Sequence, residues 1–370
     1  MLYIKKIGLK NFRCFKNSSF DLDKNINIII GSNAVGKTSL IESIYVSGCC
    51  KSHRTNTDAD MIKKGSLSYV IDNEVYKDGV NENIKIIYNG IGKKISKNEK
   101  LFKSLSEYVG YFNVIMFCPE DLKLIKGEPT SRRKFLDIFI SQIDKKYMTS
   151  LTKYKKILKE RNEYLKKEVN IDMILLKTYT NALVDEAKVI IEKRNYYINK
   201  LNNYFNGKIN VISGDKECGK IVYKPNVNVE NLFGEFQAKK QLDLITKTTN
   251  CGPHKDDFQI LINDEDSSKF ASQGQQRTLA LALKLSQVEV IKENSDNVVV
   301  LLDDVFGELD QERQNHLIKL INYDNQIIIT TTSVENLSNE VIKDSNVIKI
   351  NKEGERIWAK KIMAVPIFRY

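Results

Sequence analysis

The chain has 370 residues, of which 42% are hydrophobic and 28% charged, a composition typical of a globular protein rather than a disordered or fibrous one. Its formal net charge of +11 suggests a polyanionic partner, although a proteome that favours Lys at exposed positions would give the same balance. No apolar run is long enough to cross a membrane, and the first residues lack a signal-peptide core, which predicts a cytoplasmic protein with no membrane partner. The six cysteines show no CxxC spacing, so reduced thiols are expected and a structural zinc site is not.

The first third of the chain has the pattern of strands around one helix. Residues 1–12 alternate between apolar and polar, and Ile26–Ile30 is a short apolar run typical of a buried strand. A helix is predicted over 37–46 after a loop bounded by glycines. Alternation over 65–100, with DG and NG turn signals, predicts an antiparallel meander, and 114–117 has the pattern of a further strand.

The period then changes to that of helices. Residues 130–206 predict a pair of long amphipathic helices, broken near 170–172. Helices of this length can stand out from a core as an arm, and two helices lying flat on the core are the alternative. Strand patterns return at 258–262, 298–302 and 327–330, followed by a hairpin over 347–357.

The first chemical motif is GSNAVGKT, which fits G-x-x-x-x-G-K-[ST] and lies between a predicted strand and a predicted helix, as that motif requires. Its glycines let backbone N–H groups face phosphate oxygens, and the helix start adds positive potential. We therefore predict an ATP site in which Lys37 reaches the β- and γ-phosphates and acts in catalysis, while Thr38 ligates Mg²⁺. A chance glycine turn is the alternative. The predicted ATP-binding residues here are Gly31, Ser32, Asn33, Ala34, Val35, Gly36, Lys37, Thr38 and Ser39.

Two carboxylates end the apolar run 298–302. Unpaired carboxylates at the edge of a core are costly, and a divalent ion together with a polarised water would account for both Asp303 and Asp304. We assign Asp303 to the Mg²⁺ shell and Asp304 to catalysis, as the base that orients the attacking water. A helix N-cap after a strand would explain one of these aspartates but not both.

The stretch ASQGQQ, residues 271–276, places small and polar residues at a predicted helix start, which makes a second anion-binding terminus. A capped core helix is the simpler alternative. Ser272, Gly274 and Gln275 resemble the signature motif of ABC-type ATPases, usually SGGQ, although Gln273 stands where Gly is usual. The resemblance implies that this helix start closes over the ATP of a second copy. It also implies that Asp310, in GELD, belongs to the D-loop at the dimer seam.

Further segments narrow the resemblance. SHRT, residues 52–55, lies where chromosome-organising heads of the SMC type carry an arginine that faces the nucleotide, and that role passes to Arg54. GLKNFRCF (8–15), FCPEDLKLIKGEPTSRRKFLD (117–137) and GPHKDDFQI (252–260) follow in the right order. With the motifs above they resemble the RecF family of bacterial recombination mediators over nearly the whole chain. One departure is Ala34-Val35, where the family loop more often reads Gly-Gln.

The resemblance implies an α/β fold, an ABC-type P-loop ATPase head with a mixed sheet core, an antiparallel β lobe and an inserted helical arm. On this basis we expect residues 1–125 and 248–370 to form the head and 126–247 the arm. The implied function lies in DNA recombination, repair, replication and the SOS response. The resemblance further implies that ATP drives homodimerisation on gapped DNA at junctions of single and double strands, that weak DNA-stimulated hydrolysis resets the clamp, and that RecO and RecR help to load RecA.

The basic excess is partly local, since residues 121–170 hold fourteen Lys and Arg against seven Asp and Glu. We predict DNA phosphate contacts from this group, while a solvated helix face would explain any single member equally well. No base-reading motif is evident. The alternative function is a P-loop phosphotransferase acting on a small molecule, which would have no use for a signature helix. The DNA-binding candidates are Arg132, Arg133, Lys134, Lys145 and Lys146.

Overall fold

The computed structural model describes residues 2–167, 170–214, 217–293, 298–308, 314, 317–319, 321, 325–343, 345–351 and 356–358. The chain divides into two compact units. The first unit is formed by Met1–Glu120 and Gln287–Tyr370, and the second unit by Asp121–Ser286. In the described part of the chain, no helix combines the length and the apolar character that crossing a membrane requires.

An antiparallel sheet makes up one layer of the first unit. Its strands are β1 (Leu2–Phe12), β2 (Phe15–Asp21), β4 (Tyr69–Lys77), β5 (Val80–Tyr88), β6 (Lys93–Lys97) and β7 (Lys100–Leu101). They are ordered β2–β1–β4–β5–β6–β7, with antiparallel pairing between neighbours. The meander predicted over 65–100 is therefore present, and it continues a ladder that starts with β1.

The other sheet of the first unit is mostly parallel. Its described strands are β3 (Ile26–Ile30), β8 (Asn113–Phe117), β12 (Val298–Asp303), β13 (Gln326–Thr331), β14 (Ser345–Ile350) and β15 (Arg356–Trp358). They are ordered β15–β14–β3–β13–β12–β8, and β15 alone among them pairs antiparallel. The continuous apolar runs of β3, β12 and β13 suit strands buried on both faces.

Helix α1 (Lys37–Cys49) lies between the two sheets, because it contacts β1 of the antiparallel sheet and β8, β12 and β13 of the parallel one. Nearly all of α1 is buried, which explains why its sequence has no polar face. The first unit also contains α2 (Leu105–Tyr108), α11 (Asn339–Lys343) and the end of α10 (Gln273–Lys292). The parallel strands bring the carboxyl ends of β3, β13 and β12 side by side, next to the start of α1.

The second unit is built on helices. They are α3 (Lys123–Lys126), α4 (Pro129–Ile143), α5 (Lys145–Lys167), α6 (Met173–Ser213), α7 (Leu232–Ala238), α8 (Lys240–Thr246), α9 (Ser267–Phe270) and the start of α10. Where the sequence predicts two long helices over 130–206, the structure has three. The extended backbone of Asp144 ends α4. Its Oδ1 accepts from Tyr147 N at 2.9 Å, so the same side chain caps the start of α5. The predicted break near 170–172 is present, and Asp172 caps α6.

A small antiparallel sheet completes the second unit. It consists of β9 (Gly219–Lys224), β10 (Asp257–Ile262) and β11 (Glu265–Asp266), in the order β11–β10–β9. Because β10 pairs with β9, residues 248–286 group with the helices. The sequence analysis places those residues in the head, whereas the first boundary expected from the sequence, at 125, lies close to the observed division at Glu120.

Candidate nucleotide site

The phosphate loop lies between β3 and α1, as the sequence predicts. Gly36 has φ 113°, and a Cβ there would stand 2.7 Å from Cys14 Sγ and 2.9 Å from Phe15 Cζ. Only glycine fits this position, because both the backbone conformation and the neighbouring side chains exclude a larger residue. Ala34 also has a left-handed backbone, with φ 67°, which costs an alanine more than it would cost a glycine.

Lys37 begins α1 and turns back over the loop. Its side chain is buried, and Nζ donates to the carbonyl oxygens of Gly31 at 2.8 Å and Ser32 at 3.1 Å. These acceptors are neutral, so the loop holds a buried ammonium group against dipoles rather than against a carboxylate. Such a cation in a cradle of backbone groups suits a phosphate.

A chain of hydroxyl and carboxylate groups runs across the carboxyl ends of the strands. Asp303 is buried, and its Oδ1 accepts from Thr330 Oγ1 at 2.6 Å and from Thr38 Oγ1 at 3.4 Å. Thr330 Oγ1 in turn accepts from Asp304 N at 3.0 Å. Asp304 itself is exposed and has φ 52°. The structure therefore brings Thr38 to Asp303 and Asp304, from which it is far apart in the sequence.

The pKa of Asp303 is raised above its ordinary value. Burial is the main cause, and the charges of Asp304 and Glu120 add to it, while the hydrogen bonds from Thr330 and Thr38 oppose it. A carboxylate that is costly to ionise without a counter-charge is a natural ligand for a cation. No group of three or more His, Cys, Asp or Glu that could hold a metal occurs in the described residues. The donor set of Thr38 and Asp303 fits Mg²⁺, which is usually held by one or two protein oxygens together with substrate phosphates.

Arg54 lies beside α1 and contacts a residue that the sequence analysis did not single out. Glu42 is completely buried, and its Oε2 is 3.6 Å from Arg54 Nη1. Arg13 makes a bidentate contact with the same carboxylate, at 2.8 Å from Nε and 2.6 Å from Nη2. A Glu within an otherwise apolar and small-residue helix was the signal that could have revealed this cluster.

The signature-like segment starts α10 in the second unit. Ser272 and Gln275 form a capping box, in which Ser272 N donates to Gln275 Oε1 at 2.8 Å and Gln275 N donates to Ser272 Oγ at 3.3 Å. Ser272 and Gln273 are exposed, and a Cβ at Gly274 would meet only the Ser272 hydroxyl, at 4.0 Å. The helix start is thus capped and open to a ligand at once. Asp310, the predicted D-loop residue, lies outside the described residues.

The basic candidates for DNA contact differ in their surroundings. Arg132 makes a bidentate contact with Asp257, at 2.7 Å and 2.8 Å, and Arg133 Nη1 donates to Asp256 O at 2.8 Å. Burial lowers the pKa of Arg133, with the charge of Arg194 adding to it, and burial lowers that of Lys134. The remaining two candidates, Lys145 and Lys146, are exposed at the start of α5. Arg132 and Arg133 therefore hold elements of the second unit together, and DNA contact stays a prediction for all five.

Those two arginines belong to a larger buried network around GPHKDD. Arg194 is 2% exposed, and it donates to Pro253 O at 2.7 Å and to Asp256 Oδ2 at 2.8 Å. It also donates to Asp137 Oδ1 at 2.9 Å. Arg194 continues the apolar spacing of Leu183, Ala187, Ile190 and Ile191 along α6, and a charge at such a position is the sequence signal of a buried ion pair. The network ties α4 and α6 to the start of β10.

His254 packs inside the same unit. Its Nδ1 lies 2.7 Å from Tyr154 Oη and its Nε2 lies 3.0 Å from Thr249 O. The carbonyl requires a proton on Nε2, so Nδ1 accepts from the tyrosine. Burial lowers the pKa of His254, which keeps the ring neutral. Its contacts give it a structural role within the second unit.

Comparison with known proteins agrees with this architecture. A family model described as an AAA domain matches residues 6–204. The DNA replication and repair protein RecF of Lactobacillus gasseri is 38% identical over 366 residues, which cover 95% of this chain and 98% of that protein. RecF of Bacillus cereus is 38% identical over 363 residues, covering 94% and 97%. These alignments span essentially the whole of each relative.

Solved structures give the same result. A structure of the recombination mediator protein RecF with ATP, in the RecFOR pathway, has 34% identity and a TM-score of 0.87, covering 95% of this chain and 96% of that one. An SMC head from Pyrococcus furiosus has 16% identity and a TM-score of 0.55, over 96% of each chain, and so shares the fold. Fold and site together define an ABC-type P-loop ATPase head, which confirms the predicted fold class. Within that class, the chain belongs to the RecF family of DNA replication and repair proteins.

Proposed function

We propose that this chain is an ATP-dependent DNA clamp, in which ATP joins two copies on gapped DNA and slow hydrolysis releases them. One observation carries the proposal. The first unit combines a buried Lys37 in a glycine-shaped phosphate loop with the Thr38–Asp303 pair, 3.4 Å apart. The second unit exposes a capped helix start at Ser272. A monomeric phosphotransferase, the alternative function, has no role for that second terminus.

The residues of the first unit have distinct tasks. Lys37 holds the β- and γ-phosphates, while Thr38 and Asp303 would hold Mg²⁺, which would supply positive charge to offset that of the phosphates. Asp304, exposed beside them, orients the attacking water. Its backbone N–H is fixed by Thr330 at 3.0 Å, which aims a short side chain without a long flexible stem. The loop residues Gly31 to Ser39 surround the phosphates with N–H groups.

The second copy supplies the helix start. Ser272 approaches the γ-phosphate through its hydroxyl and Gly274 through its backbone N–H, while Gln275 holds Ser272 in the capping box, so only ATP completes the contact and ADP does not. Bound ATP then links the two copies, and hydrolysis to ADP lets them separate. Asp310 takes part at the same seam. Gln273, where ABC signatures usually carry Gly, is compatible with this role because backbone groups make the contact.

DNA contacts come from the exposed lysines of the second unit, with Lys145 and Lys146 foremost because both side chains face solvent. Phosphate contacts of this kind carry no base preference and weaken as salt rises. The RecFOR pathway of the relatives supports RecO and RecR as partners in loading RecA. DNA then stimulates a weak ATPase in the cytoplasm, with the head and the helical insert working as one clamp.

The first experiment is light scattering of the chain without nucleotide, with ADP and with ATP–Mg²⁺. Wild type should form a dimer only with ATP–Mg²⁺. Ser272→Arg should remain monomeric while it still binds ATP, because a large cation at the open helix start blocks the second copy. Lys37→Met is the matched control that should lose ATP itself. A chain that stays monomeric with bound ATP, or a Ser272→Arg variant that dimerises like wild type, would contradict the clamp.

A further inference from the structure

Two guanidinium groups share one buried carboxylate beside the phosphate loop. Glu42 has no exposed surface, whereas the side chains of Arg13 and Arg54 are 19% and 47% exposed. Arg13 satisfies the carboxylate with two short charge-assisted hydrogen bonds, at 2.8 Å and 2.6 Å. Arg54 is held only by a looser ion pair at 3.6 Å. The cluster therefore carries one positive charge more than Glu42 needs.

The backbone that carries Arg54 is anchored at the same point. Ser52 Oγ donates to Glu42 Oε1 at 2.5 Å and accepts from Arg54 N at 2.9 Å and Thr55 N at 3.2 Å. The ring of His53 packs on Tyr45 of α1, with centroids 5.4 Å apart. The main chain at Arg54 is thus fixed to α1, while its guanidinium has one weak contact and an open side.

The cluster lies close to where phosphates are expected. Glu42 follows Thr38 by four residues on α1, so it lies one turn, about 6 Å, further along the same helix face. An arginine side chain spans a comparable distance. A guanidinium paired with Glu42 therefore lies about one helical turn from the start of α1, a distance that its own side chain could cover.

We propose that Arg13 is a positioning residue that keeps Arg54 available for the nucleotide by neutralising Glu42. Arg13 neutralises Glu42 permanently, so that Arg54 can leave the carboxylate for a phosphate without stranding a buried charge. The inference rests on the proposed contact between Arg54 and ATP, and adds the residue that controls it. Neither Arg13 nor Glu42 touches the nucleotide in this scheme.

The scheme has an unusual consequence for substitutions. Removing Arg13 leaves the buried Glu42 with Arg54 as its remaining guanidinium partner, because an unpaired buried carboxylate is very costly. Arg54 then stays paired with Glu42 and no longer contacts the nucleotide. Removing the charge of Glu42 as well should set Arg54 free again. Substituting Glu42 would thus restore the ATP binding that the substitution of Arg13 weakened. If the first substitution acted by loss of packing, the second would not restore binding.

The test is equilibrium binding of ATP–Mg²⁺ to the full chain by titration calorimetry, with thermal unfolding of the nucleotide-free protein as a folding check. Arg54→Gln and Arg13→Gln should each weaken ATP binding by about tenfold, the loss of one charge-assisted contact. Arg13→Gln should add nothing in the Arg54→Gln background. The double variant Arg13→Gln/Glu42→Gln should return to within about threefold of wild type, as should Glu42→Gln alone.

The outcomes separate this inference from the function on which it rests. If Arg54→Gln binds ATP like wild type while Lys37→Met does not, the proposed contact of Arg54 fails, and the positioning role with it. If Arg54→Gln binds weakly but the double variant is no better than Arg13→Gln, Arg54 keeps its role and the positioning inference is overturned. Additive losses from Arg13→Gln and Arg54→Gln would overturn it as well.

Discussion

The hydroxyl of Thr330 donates a hydrogen bond to Oδ1 of Asp303 at 2.6 Å. The hydroxyl oxygen of Thr330 also accepts a hydrogen bond from Asp304 N at 3.0 Å. One threonine on β13 thereby contacts both the carboxylate of Asp303 and the backbone of Asp304. No local sequence pattern assigns Thr330 a role. Its position follows from the parallel register, in which Thr330 is the direct neighbour of Asp303.

Replacing Thr330 with Val should weaken Mg²⁺-dependent ATP binding by about tenfold, because a buried carboxylate loses a charge-assisted hydrogen bond at nearly constant side-chain volume. The pKa of Asp303 should rise further in this variant, because in the wild type the hydrogen bond from Thr330 opposes the effect of burial. Binding measured with and without Mg²⁺ checks this. Thr331→Val is the matched control, because Thr331 Oγ1 bonds Ser333 O rather than a carboxylate. Equal losses in both variants would contradict the role of Thr330.

Replacing Asp303 with Asn should stabilise the nucleotide-free protein at neutral pH while it abolishes hydrolysis. The folded pKa of Asp303 is raised, so its contribution is fully present below the ordinary Asp value, about 3.9, and is lost as pH rises through the folded pKa. Asparagine suffers no such loss. Unfolding temperatures across pH should therefore favour Asp303→Asn at neutral pH and converge in acid.

Asp304→Asn is the control for that experiment. Its side chain is exposed, so Asp304→Asn should change stability much less than Asp303→Asn does, although hydrolysis should fall. An Asp303→Asn variant that is less stable than wild type at neutral pH would show that the buried charge is satisfied by the protein alone, without need of a cation.

Replacing Ala34 with Gly should stabilise the phosphate loop. Ala34 has φ 67°, a left-handed conformation that costs a residue with a Cβ about 1–2 kcal/mol, partly offset by the greater freedom of glycine in the unfolded chain. We expect a gain of up to about 1 kcal/mol in the free energy of unfolding, with ATP affinity kept. Chemical denaturation and ATP titration measure both.

The reciprocal change, Gly36→Ala, should destabilise the chain and reduce ATP binding. A methyl group there would stand 2.7 Å from Cys14 Sγ and 2.9 Å from Phe15 Cζ, at a φ of 113°. The two variants together test whether backbone conformation, rather than side-chain chemistry, shapes the loop. A tolerated Gly36→Ala would refute that account.

Replacing Arg194 with Met should cost about 3–5 kcal/mol, because it leaves Asp256 and Asp137 without their buried guanidinium partner. Burial by itself would raise the pKa of Asp137, but the charges of Arg194 and Lys155 hold this pKa below its usual value. Stability from this carboxylate is thus present above about pH 4 and is lost as pH falls through the folded pKa. Urea unfolding at pH 7 and at acid pH measures both effects.

Lys153→Met is the matched control for Arg194→Met. Lys153 pairs with Glu186 at 3.5 Å, but its side chain is 62% exposed, and such surface pairs contribute at most about 1 kcal/mol. If the two variants unfolded at the same urea concentration, the network around GPHKDD would contribute no more to the free energy of unfolding than an exposed ion pair does.

Local patterns were enough for the elements that carry chemistry. The phosphate loop needed only glycine spacing between an apolar run and a helix, and Asp303 and Asp304 only their place after a buried strand. The third helix was missed because its cap, Asp144, lies within one continuous amphipathic pattern. The grouping of 248–286 was missed because it depends on β10 pairing with β9, across an interval that local periodicity does not span.

The sequence by itself determined the phosphate loop, the paired aspartates and the signature-like helix start, because each depends on residues close together in the chain. The order of these motifs along the chain determined the family. The tertiary structure alone decided which partner each charge has. Thr330 reaches Asp303 through strand register, Arg13 and Arg54 meet at Glu42 through a loop returning to α1, and Arg132 pairs with Asp257. Such pairs form where distant segments are buried together. There, removal from water makes every unmatched charge costly, and no local pattern records which partner compensates it.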